Sequence, residues 1–234
     1  MAERRESMSD YGSYYHDTTR RHYPFKVWLR ELFSTWKQPA ALAALLDGLP
    51  QGARVVDIGS GQGSLLARLK RERPDLELVA LDLAPAGAAE GYAWVAGDAC
   101  KLPFPDARFD LVLCRHVIEH IPRAMDMAHE LARVLKAGGR LYLECPDVRN
   151  AMAWAPLNFW EDPTHLRPYT RAGLARVFQL CNLETLATGR ARDWRLVFLG
   201  MFYLPVAWAM RDPFFRKHWL ANVFGLFIYG VAGK

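Results

Sequence analysis

From Ala53 to Asp147 the chain alternates two hydrophobic rhythms. Short runs rich in Val, Leu and Ile, at Arg54 to Ile58, Glu77 to Leu83, Trp94 to Ala96, Asp110 to Cys114 and Arg140 to Glu144, have the length and composition of strands. Between them, Ser64 to Arg73 and Ala124 to Leu135 place apolar residues at helical spacing. Pro74-Asp75 marks the turn into the second strand, and Ala137-Gly138-Gly139 ends the second of these helices. Strands alternating with helices predict an α/β fold, a mostly parallel sheet with helices on both faces. Such sheets bind ligands in the crevice beyond the carboxyl ends of their strands.

The flanks are less regular. Tyr23 to Leu49 has the period of one or two helices and stops at Asp47-Gly48-Leu49-Pro50. After Pro146 comes a long Pro- and aromatic-bearing loop, then a helix at Arg171 to Cys181 and a strand at Leu183 to Thr188. Arg195 to Leu220 is apolar and aromatic and reads as helical pieces broken at Pro205 and Pro213; Val223 to Ala232 reads as a last strand.

Composition narrows this little. The 234 residues are 51% hydrophobic and 24% charged, which is the make-up of a folded protein with one sizeable core, disorder being expected only at the extreme N-terminus. A net charge of +5 with scattered Arg admits anionic partners without selecting one, and no nucleic-acid partner is expected. Cys100, Cys114, Cys145 and Cys181 lack metal-type spacing and read as reduced thiols of a cytoplasmic protein, with no metal site expected. The N-terminus has no signal-peptide pattern, and the uncharged runs Leu196 to Met210 and Trp219 to Gly233 fall short of the ~20 residues that span a bilayer.

Candidate chemistry begins at "VVDIGSGQG". A strand ending in Asp57 that enters a helix through Gly59, Gly61 and Gly63 brings bare backbone to a ligand at the positive end of the helix dipole. The spacing is not the G-x-G-x-x-G of a dinucleotide turn, and no Lys-Ser/Thr follows as in a P-loop; the turn alone leaves the ligand open. Asp82 ends the second strand, where an acid can accept both hydroxyls of a ribose, and Asp98 follows the third, where it can receive an adenine amino group. Three acids at successive strand ends suit a ligand with a ribose, an adenine and a cationic group.

With "LDL", "GDACKLPFPDARFDLVLCRHVIEHI" and "LARVLKAGGRLYLECPD" in order after the glycine turn, the chain resembles the class I S-adenosylmethionine-dependent methyltransferases over about Val55 to Asp147. The resemblance implies a Rossmann-like seven-stranded sheet of order 3-2-1-4-5-7-6 with strand 7 antiparallel. It places Asp57 and Gly59, Ser60, Gly61 and Gly63 against the methionine part of the cofactor. Asp82, with Leu83 beside it, would hold the ribose, Asp98 and Ala99 the adenine, and the backbone near Arg115 and His116 the sulfonium end. One domain over 1–234 is expected, with an N-terminal helical lid (1–50), a cofactor-binding core (51–147) and an acceptor-side region (148–234). Tyr11, Tyr14, Tyr15 and His16 are lid candidates.

The acceptor is less legible. Cys114-Arg115-His116 is not the Asn-Pro-Pro-Tyr type that methylates adenine or glutamine amino groups. "EDPTHLRPYTRAGLARVFQLCNLE" resembles a stretch of small-molecule methyltransferases, some acting on sugars and glycans, but has Cys181-Asn182-Leu183 where Gly-Phe is usual. Methylation of oxygen needs a base, and His116, His120 and His165 are the candidates, with Asp162 and Glu119 able to orient an imidazole or bind hydroxyls. The aromatic segment 196–220 reads as a cover for the core, as an apolar wall for a lipid-linked acceptor, or as a peripheral contact with the inner face of a membrane. The main expectation is O-methylation of a small molecule, the oligomeric state being left open. N-methylation, a binding protein on the same fold, a nicotinamide oxidoreductase and a nucleic-acid methyltransferase are the alternatives.

Overall fold

The computed structural model describes residues 39–83, 91–153, 158–192, 197–198, 201, 219–221 and 223–234. The expected lid residues Tyr11, Tyr14, Tyr15 and His16 lie outside them, as does most of 196–220.

The elements are α1 (Ala40–Asp47), β1 (Arg54–Ile58), α2 (Ser64–Glu72), β2 (Glu77–Asp82), β3 (Ala93–Ala96), β4 (Phe109–Arg115), α3 (Ala124–Val134), β5 (Leu135–Pro146), α4 (Arg171–Leu180), β6 (Glu184–Arg190) and β7 (Phe227–Gly233). Short 3-10 turns cover Ile118–His120, Val148–Met152 and Phe159–Glu161. All seven strands form one sheet in the order β3-β2-β1-β4-β5-β7-β6. β1 pairs in parallel with β2 and β4, and β4 with β5, whereas β7 runs antiparallel between β5 and β6. This is the expected topology, and its strand order reverses direction between β1 and β4, which opens a crevice at their carboxyl ends.

Alternation along the strands sorts the core. Val56, Ile58, Val112, Cys114, Leu141 and Leu143 face the cluster that Met127 and Leu131 of α3 and Leu174 and Phe178 of α4 complete. Their neighbours Val55, Leu111, Leu113 and Tyr142 face Leu42 and Leu46 of α1 and Leu65, Leu66 and Leu69 of α2. Cys114, Cys145 and Cys181 are buried free thiols and Cys100 is half-buried.

Two local differences from the expected boundaries have physical causes. The helix expected to run to Leu135 ends at Val134, and the strand expected from Arg140 begins at Leu135, directly after α3. Phe109 pairs with Leu135 but Leu111 with Arg140, so the residues between form an excursion from the ladder, not a break between elements. Gly138 turns that excursion with φ of 77° and its amide donates to the carbonyl of Lys234 at 2.9 Å. The unusual Cys181-Asn182-Leu183 does not disturb the start of β6. Asn182 itself adopts the left-handed conformation at φ 56°, and buried Leu183 donates its amide to Phe178 O at 3.0 Å. Asn tolerates this conformation better than most residues, so it occupies the position a Gly would take.

Candidate active site

The glycine turn is held to the neighbouring strand. The amides of Gly59 and Ser60 both donate to Leu81 O, at 2.8 and 3.1 Å, and Gly61 donates to Asp82 Oδ2 at 2.8 Å. Gly59 has φ of 69°, and a Cβ there would stand 2.2 Å from Val117 Cγ2. Gly63 has φ of 70°, and a Cβ on it would meet the Tyr92 hydroxyl oxygen at 2.2 Å. At Gly61 a Cβ would meet nothing within 4 Å, so that face of the turn is open. No side chain caps α2, whose first amides are thus available to a ligand.

The acids stand where the sequence places them. Asp57, at the end of β1, is buried, and burial pushes its carboxyl up to about 6, against the lowering by Arg115 and with a further push from Asp82. Asp82 ends β2, one oxygen engaged by Gly61 and the exposed side chain of Leu83 beside it. Asp98 follows β3; its Oδ1 accepts from Cys100 N at 2.8 Å, and Oδ2 is 3.8 Å from Arg123, while Ala99 is buried behind it. A ribose and an adenine fit this set of half-exposed carboxylates beside an apolar surface, and a cationic head fits the buried Asp57.

Beyond β4 lies the acceptor side. His116 has φ of 56°, in the left-handed region that few residues other than Gly, Asn, Asp and His adopt, and donates its amide to Glu144 O at 2.8 Å. Its Nδ1 is 3.5 Å from Glu119 and its Nε2 is 3.3 Å from Glu144. Burial lowers the imidazole, but the two carboxylates outweigh it and raise His116 to about 9. Glu144 also accepts from the Tyr142 hydroxyl at 2.5 Å. Arg115 presents a buried Nε with no hydrogen-bond partner among the described residues.

His120 and His165, far apart in the chain, meet with ring centroids 4.7 Å apart. The loop carrying His165 is strapped to the 3-10 turn by the Leu166 amide, which donates to Glu119 O at 2.8 Å, and by Arg167, which donates to Pro122 O at 3.0 Å. The Thr164 hydroxyl donates to Asp162 Oδ1 at 2.5 Å and lies 2.9 Å from His120 Nδ1. With its single proton given to Asp162, that hydroxyl accepts from Nδ1–H. His165 Nδ1 donates to Phe159 O at 2.6 Å, and its ring stacks on Phe159. Burial lowers His120; burial raises Asp162, but the two hydrogen bonds from Thr164 leave it below its ordinary range.

Sequence reading singled out His116, His120, His165, Glu119 and Asp162; beside them the structure places Thr164, Tyr142 and Glu144, which it did not single out. Glu144 had a legible signal, an acid at the carboxyl end of a buried strand. Of segment 196–220, Phe198 and Met201 are exposed and Trp219 donates to Val197 O at 3.0 Å. Among the described residues no helix is long and apolar enough to cross a membrane.

A family model described as a methyltransferase domain matches residues 28–188. The bifunctional biotin biosynthesis protein BioHC of Cellvibrio japonicus is 39% identical over 116 residues, 45% of this chain and 23% of that protein. A demethylmenaquinone methyltransferase of Deinococcus radiodurans is 36% identical over 118 residues, 46% of this chain and 48% of that protein. The chain therefore spans less than half the length of these relatives. Phosphoethanolamine N-methyltransferase 2 of Haemonchus contortus, solved with S-adenosyl-L-methionine, shares the fold at a TM-score of 0.66 and 17% identity, over 84% of this chain and 53% of that one.

Proposed function

Because the chain belongs to the methyltransferase domain family, we propose that its β1–β4 crevice binds S-adenosylmethionine and that it methylates an oxygen of a small molecule, such as a sugar, a glycan or another secondary metabolite. The observation that carries the cofactor half is an open glycine turn whose amides are tied to β2 and to Asp82, with Asp57 at the end of β1 and Asp98 just past β3. Asp57 faces the cationic end, Asp82 the ribose hydroxyls and Asp98 with Ala99 and Leu83 the adenine. When bound, the cofactor supplies an electrophilic methyl group on a sulfonium.

On the acceptor side the chain's own residues divide the work. His116 lies between two carboxylates, one near each ring nitrogen, and is therefore better suited to donate hydrogen bonds than to take a proton. The base falls to the His120–His165 pair. In each ring the Nδ1–H is committed to an oxygen, which puts the lone pair on Nε2. Asp162 acts through Thr164 to hold His120 in that tautomer. The hydrogen bonds that tie segment 158–170 to the Ile118–His120 turn hold the pair beyond β4, where an acceptor would approach.

A second reading is favoured by one observation, the relative that methylates demethylmenaquinone. An acceptor hydroxyl on an aromatic ring, once deprotonated, delivers electron density to a ring carbon as well as to oxygen, and the same pair of imidazoles serves both. Incubation with methyl-13C S-adenosylmethionine and a panel of sugars, phenols, hydroquinones and amines separates the readings. A new O-methyl resonance supports the first and a C-methyl resonance the second; an N-methyl product would contradict both. A folded chain that binds cofactor and methylates nothing in the panel favours a binding protein.

A further inference from the structure

The pair His120–His165 has a third neighbour, which the transfer reading uses only as a partner of His116. Glu119 is only 1% exposed, and neither of its carboxylate oxygens has a hydrogen-bond partner among the described residues. Its Oε1 stands 3.5 Å from His116 Nδ1, an ion pair that helps keep that imidazole protonated, while Oε2 meets no donor among the described residues. A buried carboxylate oxygen left without a donor is costly, and a metal ion is one group that completes it. One ligand atom each from Glu119, His120 and His165 lie within 4.8 Å of one another.

We propose that Glu119, His120 and His165 form a binding site for a divalent transition metal of the Zn2+ or Fe2+ class. Three features of the site point there. The donor set is two imidazoles and one carboxylate, which suits borderline metals and not Mg2+ or Ca2+, whose ligands are all oxygens. Each histidine donates its Nδ1–H to an oxygen, His120 to Thr164 and His165 to Phe159 O. That is the outer-shell arrangement by which metal-ligating imidazoles are oriented and made more basic. Asp162, accepting from Thr164 at 2.5 Å, extends the first of these to a carboxylate. The triangle is also near the right size: a centroid equidistant from corners 4.8 Å apart lies about 2.8 Å from each, so closure to the ~2.0–2.1 Å of a zinc–nitrogen bond needs inward shifts of under about 1 Å.

A metal so held keeps coordination positions beyond the three protein ligands. An acceptor hydroxyl bound at one of them becomes more acidic and loses its proton to water, which relieves the two imidazoles of the role of base. That consequence rests on the transfer reading; the metal site itself does not.

The test uses the whole chain, stripped with chelator and titrated with Co2+ alone, whose visible bands report a nitrogen–oxygen environment. The expected result is one Co2+ per chain, displaced by Zn2+, with affinity reduced at least about 100-fold in His120→Gln and His165→Gln and about 10- to 100-fold in Thr164→Val. Melting temperature and S-adenosylhomocysteine titration on the same variants show that they remain folded. Absence of S-adenosylhomocysteine binding in the unmodified chain would count against the cofactor reading and leave the metal result standing. Absence of saturable Co2+ binding by folded chain overturns the proposal. So does Co2+ uptake that survives His120→Gln and disappears in Cys100→Ser, since it would then belong to a thiol.

Discussion

Asp57 carries an opposition between stability and binding that a single proton reports. Its carboxyl is buried, and burial holds it near 6, with Arg115 on β4 pulling it down and Asp82 at the end of β2 pushing it up. Tyr92, whose hydroxyl lies against Gly63, and the buried Cys114 thiol also sense it, each being raised in part by its charge. The folded value lies above the ordinary 3.8, so the folded chain binds more protons than the unfolded one between those limits. Stability therefore falls as pH rises through that window and stays lower above it, by roughly 3 kcal/mol. Asp57→Asn should raise the melting temperature at pH 7.5 while weakening S-adenosylhomocysteine binding. In the unmodified chain, affinity for S-adenosylhomocysteine should fall by up to about tenfold per pH unit below 6, as the carboxyl that faces the cationic end takes a proton. Titrations at several pH values check this; an affinity that is flat from pH 7 to 5 would remove Asp57 from the site.

At the scale of elements, the strand-to-helix turn and the helix-to-strand turn before β6 make opposite demands. Gly59→Ala adds a Cβ 2.2 Å from Val117 and places it on a residue at φ 69°, so we expect a loss of about 2 kcal/mol or more in chemical denaturation and weaker cofactor binding. Asn182 is exposed and its side chain is not needed for packing. Asn182→Val should cost about 1–2 kcal/mol from the left-handed backbone alone, and leave cofactor affinity unchanged. A loss from Asn182→Val no larger than that from a change at a neighbouring exposed position would contradict this. The strands, the helices and the acids at strand ends were legible because burial on one face or both imposes a period on the sequence. The β5 excursion was not, because Ala137-Gly138-Gly139 carries the same signal whether the chain stops pairing or merely steps out of register. The meeting of His120 with His165 was only half legible. Each histidine stood out, but their contact depends on the Leu166 amide and the Arg167 guanidinium donating to carbonyls 45 or more residues away, which no local pattern announces. Thr164 passed unnoticed for the same reason.

For the molecule as a whole, the sheet order sets what the site can do. The reversal between β1 and β4 puts the glycine turn and Asp57 on one side of a crevice and Arg115, His116 and the Glu119–His120 turn on the other. A cofactor bound to the first half presents its reactive end to the second, where imidazoles and buried carboxylates gather. Calorimetric titration of cofactor-stripped chain with S-adenosylhomocysteine, beside Asp82→Ala, tests that occupancy most directly. We predict saturation at one site per chain, and an affinity at least about tenfold weaker once the carboxylate that takes the ribose hydroxyls is gone. A folded chain that gives no binding heat at several temperatures, or an Asp82→Ala variant that binds as tightly as the unmodified chain, would contradict it.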